Sequence, residues 1–129
     1  EWNKVLFAGP PEQMRAIASW ASETEYPDIY FVSTNDMYFE IMPQGASKGN
    51  ALKTLCEYLN IPPANSVAIG DYYNDIELMH AAGHSIAMEN APKEVQVEAD
   101  EVTGSCMDGG VAQVLYRLID QYGGAKADA

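Results

Sequence analysis

Asp71 and Asp75 lie four residues apart with Asn74 beside the second, directly after the apolar run Val67-Ala68-Ile69 and Gly70. A short buried strand that stops at a glycine delivers both carboxylates to one place. Two close carboxylates repel each other, and a cation between them relieves the repulsion. Mg²⁺ suits the pair, because it takes one or two protein carboxylates, keeps waters and completes its shell with phosphate oxygens. Asp71 and Asp75 are therefore the candidate metal ligands, with Asn74 a polar neighbour in the same pocket. The plainer alternative is that they are acids favoured at a helix start by the cap and the dipole. Lys48 is the third chemical residue. It opens a helix, where the macrodipole disfavours a cation, and that placement calls for an anionic partner such as phosphate.

The elements that must position these residues fall into two groups. Residues from Trp2 to Ala8 read as a strand, Gly9-Pro10-Pro11 as a break, and Met14, Ile17, Ala18 and Ala21 as the apolar stripe of a helix. Ile29 to Ser33 and Met37 to Met42 read as a hairpin turning at Thr34-Asn35-Asp36. The first stretch is therefore β-α-β-β. Pro43-Gln44-Gly45-Ala46-Ser47 is a composition break, after which helix and strand alternate. Ser47 caps a predicted helix from Lys48 to about Leu59 with Ala51, Leu52, Leu55, Cys56 and Leu59 inward. A strand over Ser66 to Ile69, a helix from Asn74 to Ala82, a strand over Ser85 to Met88 and a helix from Ala91 to Ala99 follow. A strand over Glu101 to Thr103 leads to a last helix, Val111 to Tyr122, with Val111, Val114, Leu115, Leu118 and Ile119 expected on its buried side. Such alternation with short connections implies parallel strands and right-handed crossovers. The expected divisions are residues 1–44, 45–122 and a disordered tail over 123–129.

Composition narrows the functions. The chain has 129 residues, 47% of them hydrophobic, enough for a packed core. A net charge of −12 argues against nucleic acid as a partner, since the phosphate backbone is repelled. No apolar run approaches a membrane span. Cys56 and Cys106 make no disulfide framework and read as reduced thiols, which fits a cytoplasmic location.

Three ordered segments carry a family resemblance. Ser47-Lys48-Gly49-Asn50-Ala51-Leu52 is similar to the lysine motif of the haloacid dehalogenase superfamily, in its Cof-type phosphatase group with a large α/β cap. Ile69-Gly70-Asp71-Tyr72-Tyr73-Asn74-Asp75-Ile76-Glu77-Leu78-Met79 is similar to that family's acidic motif. Ala82-Gly83-His84-Ser85-Ile86-Ala87-Met88-Glu89-Asn90-Ala91 resembles the segment that follows it. The resemblance implies an α/β fold, part of a Rossmann-like parallel sheet with helices, preceded by the β-α-β-β end of a cap. It also implies a Mg²⁺-dependent phosphatase acting on a small phosphorylated metabolite. In such enzymes an aspartate attacks phosphorus and a second aspartate, two residues on, protonates the leaving group. Lys48 would be the catalytic lysine that neutralises phosphoryl charge and touches substrate. Asp71 would bind the metal directly, Asp75 would support it through water or hydrogen bonds, and Asn74 and Asn90 would contact substrate.

The family's nucleophile motif, Asp-x-Asp-Gly-Thr, occurs nowhere in the sequence. Ser105-Cys106-Met107-Asp108-Gly109-Gly110 also departs from the family's Ser-Asn-Asp-x-Asp-Gly pattern. The expectation is a C-terminal portion of such an enzyme, inactive in isolation and inclined to self-associate through an exposed sheet edge. A non-catalytic metal- or phosphate-binding module derived from such an enzyme is the competing reading. A response-regulator-like domain fits the alternation but lacks an early phospho-accepting aspartate with acidic partners before it.

Overall fold

A computed structural model describes residues 3–23 and 25–123, and it contains two three-stranded sheets. In the first, β1 (Val5–Ala8), α1 (Pro11–Ser22), β2 (Ile29–Asn35) and β3 (Tyr38–Pro43) form an antiparallel sheet in the order β1-β3-β2. Pro11 opens α1 without loss, since its missing N–H has no partner in a first turn anyway. Met14 and Ala21 bury the helix against Phe39 of β3, with Ile17, Ala18 and Phe31 closing the cluster. The Phe31 and Phe39 rings stack with centroids 6.0 Å apart. Trp2 lies outside the described residues, so the expected first strand is described only from Val5. The hairpin turn falls later than expected. β2 continues through Asn35, whose Oδ1 accepts a 2.7 Å bond from the Met37 amide and fixes the turn at Asp36-Met37.

Gly45, at φ +86°, takes the chain out of this unit through a left-handed position that favours glycine. The following helix, α2 (Lys48–Leu59), has the bounds expected from the sequence. The Ser47 hydroxyl accepts a bond from the Asn50 amide at 3.2 Å, and Asn60 ends the helix in the left-handed region. Then come β4 (Val67–Gly70), α3 (Ile76–Ala81), β5 (His84–Met88), α4 (Lys93–Gln96), β6 (Glu101–Thr103) and α5 (Gly110–Tyr122). The second sheet is wholly parallel in the order β4-β5-β6, with Val67 opposite His84 and Ile86 opposite Glu101. This is the expected α/β arrangement.

Met79 of α3, Val95 of α4 and Ala87 of β5 form the core of one face of that sheet, completed by Ala91. Strand alternation sends Ile86 and Met88 to the other face, where Gly110 of α5 lies so close to the Met88 methyl that a Cβ there would sit 3.0 Å from it.

Several expectations need correction. The helix predicted over 91–99 is only α4, because Asp100 is drawn to Ser85. Its carboxylate accepts from both the Ser85 amide and hydroxyl at 2.8 Å, and the chain must turn into β6. The helix predicted from Asn74 begins as a 3₁₀ turn over Tyr73–Asp75 and becomes α-helical at Ile76. The strand expected over Ser85 to Met88 begins one residue earlier, at His84. On α2, Cys56 is buried and Leu52 half-buried, but Ala51, Leu55 and Leu59 are exposed. On α5, Val114 is buried and Leu118 half-buried, while Val111, Leu115 and Ile119 are exposed. The physical reason is the same for both helices: three strands offer too little sheet to cover stripes of that width. Apart from Gly123, the expected tail lies outside the described residues.

Candidate functional site

β4 ends at Gly70 with its carboxyl end facing the loop that carries Asp71, and this is where open parallel sheets bind ligands. Gly70 is required by packing. A Cβ on it would stand 2.4 Å from the Asp75 Cβ and 2.8 Å from the Met79 methyl, both inside any allowed contact. The loop therefore folds back on itself, and Asp75 is turned inward to 5% exposure.

Both oxygens of the Asp75 carboxylate are hydrogen-bonded. One oxygen accepts a 2.5 Å bond from Lys48 Nζ. The other accepts from the amides of Asp71 at 3.0 Å and Tyr72 at 3.3 Å. A buried carboxylate is tolerable only when paired and hydrogen-bonded in this way. The anionic partner that the position of Lys48 demanded is thus Asp75 in this structure. The ammonium is half exposed, so it remains open to a second anion. Gly49, the next residue, lets α2 approach α3 closely, since a Cβ there would meet the Glu77 carbonyl oxygen at 2.5 Å.

Asp71 is arranged differently. It is exposed, and its carboxylate has one long contact, 3.4 Å from Asn90 Nδ2. Asn90 in turn accepts a 2.8 Å bond from the Cys106 amide, which ties the loop after β6 to the acidic loop. In that later loop the Ser105 hydroxyl caps the 3₁₀ turn Cys106–Asp108, accepting from the Asp108 amide at 3.2 Å. Asn74 is half-buried on the same loop, and no hydrogen bond joins its side chain to the cluster among the described residues. The structure therefore brings Lys48, Asp71, Asp75 and Asn90 into one connected set and leaves Asn74 beside it.

The donor set fits a hard cation in part. Asp71 offers a free carboxylate to solvent, which is the single-carboxylate, water-rich mode that Mg²⁺ accepts. Asp75 already accepts three hydrogen bonds, which suits a supporting role. Among the described residues no group of three or more His, Cys, Asp or Glu side chains forms a closed cage.

Two tyrosines link the acidic loop and α3 to the antiparallel sheet. Tyr72 donates its phenolic hydrogen to Asp36 at 2.8 Å, and its ring meets that of Tyr73 edge-on with centroids 5.0 Å apart. Burial, and then the Asp36 carboxylate, push the Tyr72 phenol up to about 12. Tyr30 on β2 is likewise raised by burial and by Glu77 of α3, with which it hydrogen-bonds. Only the placement of Tyr72 between the two aspartates hinted at a role; nothing in the sequence paired it with Asp36.

Comparison with known proteins gives a consistent result. Residues 1–115 match the family model described as haloacid dehalogenase-like hydrolase. Phosphatase YwpJ of Bacillus subtilis is 38% identical over 102 residues, covering 79% of this chain and 36% of that protein. The putative phosphatase YxeH of the same organism is 33% identical over 116 residues, covering 90% of this chain and 43% of its own length. A solved haloacid dehalogenase-like hydrolase from B. subtilis superposes with a TM-score of 0.79 at 36% identity, over 90% of this chain and 40% of that one. The chain spans less than half the length of these relatives. No helix among the described residues is long and apolar enough to cross a membrane.

Proposed function

Because the chain belongs to the haloacid dehalogenase-like hydrolase family, with Cof-type phosphatases among its relatives, we propose that it forms the metal- and phosphate-holding part of a Mg²⁺-dependent phosphatase. The substrate class is a small phosphorylated metabolite. The observation that carries this reading is the contrast between the two carboxylates: Asp75 is locked to Lys48, while Asp71 stands open at the end of β4.

In this reading Asp71 holds the metal and Asp75 holds the loop. Asp75 gives shape through the Asp71 and Tyr72 amides, and it orients the lysine. Lys48 presents its ammonium to the phosphoryl oxygens, whose negative charge it offsets as the ester bond breaks. Bound Mg²⁺ would supply Lewis-acid neutralisation of phosphate charge at Asp71. Asn90 braces Asp71 and supplies an amide at the rim of the pocket; Asn74 is placed to contact substrate. The division at residues 44 and 45 corresponds in this proposal to the end of the cap and the start of the core.

Hydrolysis by this route needs a nucleophilic aspartate, and the sequence has no Asp-x-Asp to provide one with its acid partner. The chain by itself is therefore expected to bind Mg²⁺ without turning over a generic phosphate ester. Calorimetric titration checks the first part: Mg²⁺ should bind the wild type, and Asp71→Asn should weaken it at least tenfold. Phosphate release from a generic ester checks the second; Mg²⁺-dependent turnover that disappears in Asp71→Ala overturns it. The same missing motif favours one second reading, a module that binds metal and phosphate without turnover. The open β4 edge supports self-association of either form.

A further inference from the structure

The antiparallel unit touches the acidic loop along a seam made by β2 and the hairpin tip. β2 packs against the 3₁₀ turn Tyr73–Asp75. Across it, the Tyr72 hydroxyl donates to Asp36 at the hairpin tip, 36 residues away in sequence, at 2.8 Å. The tip is itself stiff. Asn35 Oδ1 holds the Met37 amide at 2.7 Å, and the Met37 carbonyl accepts from the Gly9 amide at 3.1 Å, which ties the tip to the end of β1. On the other side of the seam, Tyr72 is adjacent to Asp71 and donates its own amide to Asp75. One residue therefore joins the hairpin tip through its side chain and the carboxylate cluster through its backbone.

We propose that Tyr72 and Asp36 form a latch that fixes the hairpin tip over the acidic loop, making Tyr72 a positioning residue for the Asp71 carboxylate. Tyr72 has an extended backbone at the start of the turn that carries Asp75, and its hydroxyl reaches Asp36 on the hairpin. If Asp36 is removed, the loop keeps its bonds to Asp75 but loses the side-chain bond that ties Tyr72 to the hairpin tip. The Asp71 backbone then stays tied to Asp75 through its amide, and its carboxylate keeps the 3.4 Å contact with Asn90. The part of the proposal that concerns Asp71 rests on the metal-holding reading above; the latch itself rests only on the seam.

The test uses this chain with Tyr72→Phe, which deletes the hydroxyl alone, Asp36→Ala, and Asp36→Asn, which retains an acceptor oxygen. Amide hydrogen exchange at residues 35–38 and 71–73 and calorimetric Mg²⁺ affinity are read together, with the thermal midpoint as a control for folding. Tyr72→Phe and Asp36→Ala are expected to speed exchange in both segments about fivefold to tenfold, the scale of one lost hydrogen bond to a charged group at a partly exposed site. Mg²⁺ affinity should fall severalfold in both, the double variant should be no worse than either single, and Asp36→Asn should restore wild-type behaviour. Unchanged exchange in Tyr72→Phe overturns the latch. Faster exchange with unchanged Mg²⁺ affinity overturns the positioning role. If the wild-type chain binds no Mg²⁺, the phosphatase reading fails, and exchange alone decides: acceleration rescued by Asp36→Asn upholds the latch.

Discussion

The side of the parallel sheet that carries α3 and the acidic loop is closed, whereas the side that carries α5 buries Ile86 and Val114 but leaves much of the helix's apolar stripe open. On the closed side Met79 is 2% exposed and Val95 not at all, and the loop above them has its buried carboxylate fully bonded. On the open side Leu115 is 51% and Ile119 61% exposed, and a groove of about 660 Å³ runs between the end of α5 and the start of β4. Amphipathic spacing reports that a face is to be covered; it does not report whether the same chain supplies the cover. β4 adds to the asymmetry, because it pairs with β5 on one side and with no strand on the other among the described residues.

The comparison can be broken from its strongest side first. Met79→Ala should cost about 3 kcal/mol in chemical denaturation, the usual penalty for emptying a buried methionine site. Lys48→Met should cost about 2 kcal/mol, less than a fully buried pair because the lysine is half exposed, and it leaves the Asp75 carboxylate without its cation. Adding Asp75→Asn to Lys48→Met should recover part of that loss, and no recovery would show that Lys48 stabilises by packing of its stem alone.

Alkaline titration is a gentler probe of the closed side. The folded state raises the Tyr72 and Tyr30 phenols above the ordinary value of 10.0, Tyr72 to about 12. Their contribution is then complete below pH 10 and lost as the pH rises toward 12. A thermal midpoint that falls over that window in the wild type, and falls less in Tyr72→Phe, is the expected result. The smallest effect belongs to the open side. Ile119→Ala should change stability by less than about 0.5 kcal/mol in the monomer, as exposed substitutions do. A loss comparable to that of Met79→Ala, together with a mass above 14.1 kDa in solution, would show that another copy covers the stripe.

Local signals were legible and long-range partners were not. Ser47 and Asn60 mark the ends of α2 by their own chemistry, so its bounds could be read directly. Gly70-Asp71 followed by Asp75 announced the strand end and the acidic loop, and the family motif residues Lys48, Asp71, Asp75 and Asn90 do come together. What the pattern could not reveal is which residue answers which. The partner of Lys48 is Asp75, 27 positions on, and the partner of Tyr72 is Asp36, 36 positions back. The α5 stripe misled for a related reason, since its burial depends on the width of a sheet that no periodicity within the helix encodes. The shortness of α4 came from Ser85, a residue on a different element that captures Asp100.

The bonds of Asp75 also differ in the length of chain that each one closes. Those to the Asp71 and Tyr72 amides close loops of only a few residues and can form as soon as β4 meets the first turn of α3. The bond to Lys48 spans 27 residues and the Tyr72–Asp36 bond spans 36. Closing a loop costs entropy that grows with its length, about 0.6 kcal/mol for each doubling. The acidic loop thus closes on itself at small entropic cost, while the lysine and the hairpin tip carry the larger cost of joining distant segments.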